Sequence, residues 1–221
     1  MPDPRHYFSQ LNQGHWFAAL PPALSQSLLE MAQVQRLDAG QRLFRRGDKP
    51  SGLYAVVEGA VRIGAVSENG KEALLTLVEP PYWFGEISLF DGQPRTHDAL
   101  SVGPCTLLQV PQSAMLEILD QSPAYWRDMA LLMSQKLRLS LINIEQMSLM
   151  PASTRIAHRL MMIAGGYGEI EHSRRVLQLP QEDLAAMLSL SRQTTNSLLK
   201  ALEQQGIIKL SYGAIEVLDL P

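Results

Sequence analysis

The chain has 221 residues, 46% of them apolar and 6% aromatic, and carries a formal charge of −3. That balance excludes a disordered chain and a strongly basic one, and no apolar run approaches the roughly 18–20 residues that span a bilayer. The single cysteine, Cys105, excludes an intramolecular disulfide, and MPDPRHYFSQLNQ lacks a signal-like apolar stretch, so a cytoplasmic protein without a membrane partner is expected.

The length allows two compact domains, each with its own core. Residues 1–35 carry apolar patches at helical spacing (Trp16-Phe17, Leu20, Leu24, Leu28-Leu29, Met31), broken by Pro21-Pro22. Short helices packed on a sheet are expected there. From 36 to 111 the texture changes to β-type runs at 53–57, 60–66, 73–78 and 105–110. Turn signals separate them at Gly40, Gly47-Asp48, Glu68-Asn69-Gly70, Pro80-Pro81 and Asp91-Gly92. This pattern predicts a small antiparallel barrel or roll. Cys105, inside the last run, reads as a buried and inert thiol.

Within this region lies FGEISLFDGQPRT, residues 84–96. Gly85 permits close backbone approach, Glu86 can accept from sugar hydroxyls, and Arg95 offers a planar fork suited to phosphate. Pro94 stiffens the approach to Arg95, and Thr96 adds a hydroxyl donor. The string resembles the phosphate-binding cassette of cyclic-nucleotide-binding domains, in which Gly-Glu, a hydrophobic run and Pro-Arg with a small residue recur. The glycine and apolar rhythm from Leu37 to Gly59 resembles the same β-roll. The resemblance implies that Glu86 holds a ribose hydroxyl and Arg95 the cyclic phosphate, with Gly85, Ile87 and Thr96 beside them. Where the family continues with small or apolar residues, this chain has His97-Asp98. His97 reads either as a ligand contact or as a hydrogen-bond partner of Asp98.

From about 113 the pattern is helical for nearly forty residues, with Pro123 as punctuation. Met133, Leu137, Ser140, Ile144 and Met147 are spaced 4, 3, 4 and 3, a heptad seam suited to pairing with a second copy. Packing against the chain's own roll is the competing reading. Ser140 in the seam is either a register device or a ligand contact at the dimer axis.

Met150-Pro151 opens a third segment, and Gly165-Gly166-Tyr167-Gly168 closes its first helix. Pro180-Gln181-Glu182-Asp183 starts another helix with acids in its first turn, favourable for the helix dipole. After the turn Ser189-Leu190-Ser191, with Ser191 as cap, a further helix buries Thr195, Leu198, Leu199 and Leu202. Its outer face shows Arg192, Gln193, Asn196, Ser197 and Lys200, types whose geometry suits base edges. Gly206 stops it, and 207–218 reads as a hairpin turning near Ser211-Tyr212-Gly213. Helix, turn, helix and hairpin make a winged helix-turn-helix. Residues 151–221 carry seven basic and seven acidic groups, so DNA contact must come from local placement of Arg and Lys.

From about residue 16 to 218 the arrangement resembles the CRP/FNR family of bacterial transcription regulators. The fold so implied is α+β. An antiparallel β-roll with N-terminal helices spans 1–122, a dimerisation helix 123–150, and a winged helix-turn-helix 151–221. The resemblance implies a homodimer on pseudo-palindromic double-stranded DNA, contact with RNA polymerase, and a cyclic nucleotide such as cAMP as effector. Base reading falls on Arg192, Gln193 and Ser197, and Ser140 matches a position that reaches the adenine. Gly85 and Ile87 stand where the carbon-monoxide-sensing branch has haem ligands, and one cysteine cannot hold an iron–sulfur cluster, so neither group is expected. Other readings compete with this one: the same type of regulator with an effector that is not a cyclic nucleotide or with no ligand, and, more remotely, a cupin-like metal enzyme. The five scattered histidines (6, 15, 97, 158, 172) disfavour the enzyme.

Overall fold

The computed structural model describes residues 3–67 and 72–219; the turn expected at Glu68-Asn69-Gly70 lies outside them. Short helices α1 (Phe8–Leu11), α2 (His15–Ala18) and α3 (Pro22–Met31) come first, as the apolar spacing predicts. Strand β1 (Gln33–Leu37) begins before the expected boundary at 36, and β2 is Arg42–Phe44. The four runs appear as β3 (Gly52–Glu58), β4 (Val61–Val66), β5 (Glu72–Val78) and β8 (Cys105–Pro111). Between them lie β6 (Trp83–Phe84), helix α4 (Ile87–Asp91) and β7 (Asp98–Ser101).

The strands form two four-stranded antiparallel sheets, ordered β1-β8-β3-β6 and β2-β7-β4-β5. Strand β3 explains how two cores meet. Its residues alternate between Leu53, Ala55 and Val57 on one face and Tyr54 and Val56 on the other, as a pleated strand requires. The first set packs with α2 and α3, where Phe17 stacks on Trp83 at 5.5 Å. The second set faces the interior of the roll.

Helix α5 (Gln112–Gln121) and long helix α6 (Tyr125–Leu149) follow, separated around Pro123. Met129 and Leu132 of α6 are buried against the N-terminal helices, held by a bond from Trp16 Nε1 to the Asp128 carbonyl at 2.8 Å. Past Lys136 the helix runs out along the surface, and Leu137, Leu141, Ile144 and Met147 are exposed. The seam divides between the two readings: Leu137 faces out, Met133 is half-buried, and Ser140, Ile144 and Met147, though exposed, border a cavity shared with the roll.

The third segment comprises α7 (Ala152–Ala164), β9 (Val176–Leu177), α8 (Gln181–Leu188), α9 (Arg192–Gln204) and hairpin β10 (Ile208–Ser211) and β11 (Ala214–Val217). Its sheet is ordered β10-β11-β9, so the wing has three strands rather than two. One finding departs from the sequence reading. In place of separate cores for the roll and this segment, Leu74, Leu77 and Val78 of the roll join Ile156, Leu160, Leu184 and Met187 in one apolar cluster. Polar contacts reinforce the docking. Arg62 of β4 pairs with Asp183 of α8 at 3.1 Å, and Arg174 bonds Glu79 and the Pro80 carbonyl.

Candidate functional site

A cavity of about 570 Å³ opens between the roll, α6 and the third segment, within the range of about 300–1,000 Å³ usual for small-molecule pockets. The expected residues Gly85, Glu86, Ile87, Arg95, Thr96 and Ser140 all line it, with His97. Much of the remaining wall is apolar, from Phe44, Ile63, Leu74, Phe84 and Leu139.

Gly85 has φ +100, and a Cβ there would lie 2.9 Å from an Arg95 nitrogen and from the Gly52 carbonyl. Only glycine fits that backbone without strain. It turns the chain so that Glu86 stands at the N-cap of α4 with its carboxylate toward Lys136. Glu86 is 3% exposed, and its Oε2 accepts from Lys136 Nζ at 2.6 Å. Lys136 also donates to the Trp83 carbonyl at 2.6 Å and sits 5.0 Å over the Tyr82 ring. The partly buried ammonium is thus engaged on three sides.

Arg95 lines the cavity but directs its donors elsewhere. Its Nη2 donates to the Gly52 carbonyl at 2.6 Å and its Nη1 to the Gly85 carbonyl at 3.0 Å. The guanidinium lies 4.6 Å over Phe44 and 5.6 Å over Tyr54, and only Nε is without a partner. Burial lowers its pKa, against the opposing pull of Tyr54 and Glu86. Nη2 also reaches Ser51 Oγ at 3.4 Å, so the phosphate role expected of Arg95 would fall to Nε and the second N–H of Nη1, or to a rearranged fork.

Thr96 Oγ1 is 2.9 Å from His97 Nδ1, while Asp98 accepts from the Arg46 backbone N–H at 2.9 Å. The alternative in which His97 bonds Asp98 is therefore replaced by a Thr96 partner. Burial, with Arg46 nearby, lowers the His97 pKa and favours the neutral ring. Ser140 Oγ donates to the Lys136 carbonyl one turn back, at 2.9 Å. Cys105 is buried, and burial with nearby Glu58 pushes its thiol up to about 11, so little thiolate exists at neutral pH.

The candidate nucleic-acid face lies on α9. Ser191 caps it, its Oγ accepting from the Thr194 N–H at 3.0 Å. Thr195 and Leu199 are fully buried, while Leu198 and Leu202 are half-buried. Arg192, Gln193, Ser197 and Lys200 are exposed together. Asn196 departs from the expected exposed face: it is half-buried, and its Nδ2 donates to Gln181 Oε1 at 2.9 Å. It braces the two helices of the pair. At the wing tip Tyr212 is fully exposed.

Sequence reasoning missed Lys136, although it sits one turn before Ser140 on the same helix face, a signal that was available. It also missed Arg159, Tyr167 and Met187, which line the cavity from the third segment. No local motif marks these, because only the docking brings them there. Among the described residues no group of three or more His, Cys, Asp or Glu could hold a metal ion, and no helix is long and apolar enough to cross a membrane.

Comparison with known proteins matches two stretches of the chain to known domains. Residues 34–122 match the cyclic nucleotide-binding domain, and residues 154–221 the Crp-like helix-turn-helix domain. The chain is 32% identical over 168 residues to the transcriptional regulator SdrP of Thermus thermophilus, covering 76% of this chain and 79% of that one. It is 29% identical over 202 residues to a cyclic AMP receptor protein of the same organism, covering 91% of each. A solved CRP/FNR-family transcriptional regulator, also from Thermus thermophilus, superposes with a TM-score of 0.66 at 29% identity, over 85% of this chain and 94% of that one.

Proposed function

Because the chain belongs to the CRP/FNR family of transcription regulators, we propose that it works as a homodimer whose DNA affinity is set by a small effector in the roll cavity. It is a non-enzymatic regulator that reads pseudo-palindromic double-stranded DNA and acts on RNA polymerase. The observation that carries this reading is the cavity wall, which the cassette, α6 and the third segment share. An occupant therefore touches the sensing roll, the pairing helix and the DNA-binding segment at once.

The exposed apolar residues Leu137, Ile144 and Met147, the last two also at the cavity rim, support pairing of α6 with its copy, since such a row in water favours association. Arg192, Gln193 and Ser197 then enter the major groove, with Lys200 on the backbone and Ser191 at the helix start. Two such helices must stand about 34 Å apart, one turn of DNA. The effector favours that spacing only through its differential affinity for the two states.

A cyclic nucleotide such as cAMP is the first candidate, since Glu86, Arg95, Thr96 and Ser140 surround one space. A second reading, with an effector that is not a cyclic nucleotide, is favoured by the engagement of the Arg95 fork with two carbonyls. Fluorescence anisotropy on a selected DNA site, titrated with cAMP and cGMP, separates the two. A change in affinity of about tenfold or more supports the first. No change with either removes the first and leaves a different effector or none.

A further inference from the structure

Arg159 of α7 is 5% exposed, and among the described residues no ion pair includes it. Its Nη1 donates to the Leu75 carbonyl at 3.3 Å, and its Nε has no partner. Two other buried polar atoms on the same cavity wall also have none: Tyr167 Oη and Thr76 Oγ1. Burial pushes the Tyr167 pKa up, and loose polar contacts with Thr76, Arg159 and the Leu77 backbone pull against it. These contacts fall short of ordinary hydrogen-bond distance and angle, so Tyr167 Oη, Thr76 Oγ1 and Arg159 Nε keep capacity for a better partner. A buried cation without a counter-charge, beside two unsatisfied hydroxyls, is unfavourable unless something completes it.

We infer that Thr76, Arg159 and Tyr167 form an anion subsite in the effector cavity, taking the carboxylate or phosphate of an amphipathic ligand whose apolar body lies along Leu74, Leu139 and Met187. This rests on the reading that the cavity holds an effector, and adds a second recognition point distinct from the cassette. The Arg159 fork suits either anion, and the two hydroxyls donate to the remaining oxygens. Thr76 belongs to β5 of the roll, whereas Arg159 and Tyr167 belong to the third segment. A bound anion therefore bridges the two and holds the DNA-binding segment in its docked position.

The test is calorimetric titration of the full chain with octanoate, octyl phosphate and 1-octanol, which share one apolar body. At least one anion should bind about tenfold or more tightly than the alcohol, and which one identifies the group. Arg159→Gln should remove that preference while alcohol binding is retained, and Tyr167→Phe should reduce it severalfold. Equal binding of all three probes by the natural chain, or no binding at all, overturns the subsite even if a variant fails to fold. So does an anion preference that survives in both variants. A cAMP response of DNA binding, measured alongside, is judged separately. Its absence removes the cyclic-nucleotide reading and leaves an observed anion preference standing. Its presence without that preference removes the subsite alone.

Discussion

Lys136 Nζ lies 2.6 Å from Glu86 Oε2, joining the long helix to the glutamate of the cassette through a partly buried ion pair. Whatever enters the cavity and engages Glu86 must compete with Lys136 or share the carboxylate with it. The pair thus links occupancy of the roll to the position of α6.

Removing one partner of a buried pair leaves the other charged and unmatched, at a cost of about 3–5 kcal/mol. Lys136→Met should lower the stability of the chain by an amount of that order, measured by urea unfolding with tryptophan fluorescence. The double variant Glu86→Gln, Lys136→Met should recover more than half of the loss. Additive losses would show that the two residues are not coupled.

Arg95→Gln should abolish the effector response and also weaken the roll. Its fork holds the Gly52 and Gly85 carbonyls, and bonds from a charged donor contribute about 1.5–3 kcal/mol each. The urea midpoint should therefore fall along with the response. An unchanged midpoint would mean that Arg95 is free for ligand alone.

Asp183 bears on pH dependence. Burial raises its pKa, Glu182 and Glu72 add to the rise, and Arg62 opposes it. The folded chain thus holds the Asp183 proton more tightly than the unfolded chain does. That contribution is fully present below the unfolded value of about 3.9 and is lost as pH rises through the folded one. Asp183→Asn should melt at or above the natural chain at pH 7, with the difference shrinking as pH falls toward 4. A variant that melts lower at pH 7 would show that the Arg62 pair outweighs the burial cost.

Arg192→Ala should cost about 1–3 kcal/mol at a specific site and relax one base preference. Asn196→Ala should act differently, because its bond to Gln181 braces α8 against α9. Its expected effect is a lower melting temperature and a uniform loss of affinity across sequences. Quantitative binding to single-base variants of the site distinguishes the two patterns.

Much of this architecture was legible in the sequence, for identifiable reasons. Strands β3, β4, β5 and β8 stood out because Leu53–Val57, Val61–Val66, Ala73–Val78 and Cys105–Val110 are mainly apolar runs between turns. Strand β1 did not, because Gln33-Val34-Gln35-Arg36-Leu37 carries few apolar residues and pairs at a sheet edge. The cassette residues were visible because their spacing is local. Arg159, Tyr167 and Asp183 acquire their surroundings only when the third segment docks on β4 and β5, which no local pattern encodes. Asn196 has the composition of a reading residue, and its Gln181 partner lies 15 positions away on another helix.

The most direct test of the account is selection of DNA by the full chain from a random duplex pool, with the bound complex weighed by sedimentation. We predict a pseudo-palindrome with half-sites about 34 Å apart and two chains per duplex. A single unrepeated site, or one chain per duplex, would contradict it.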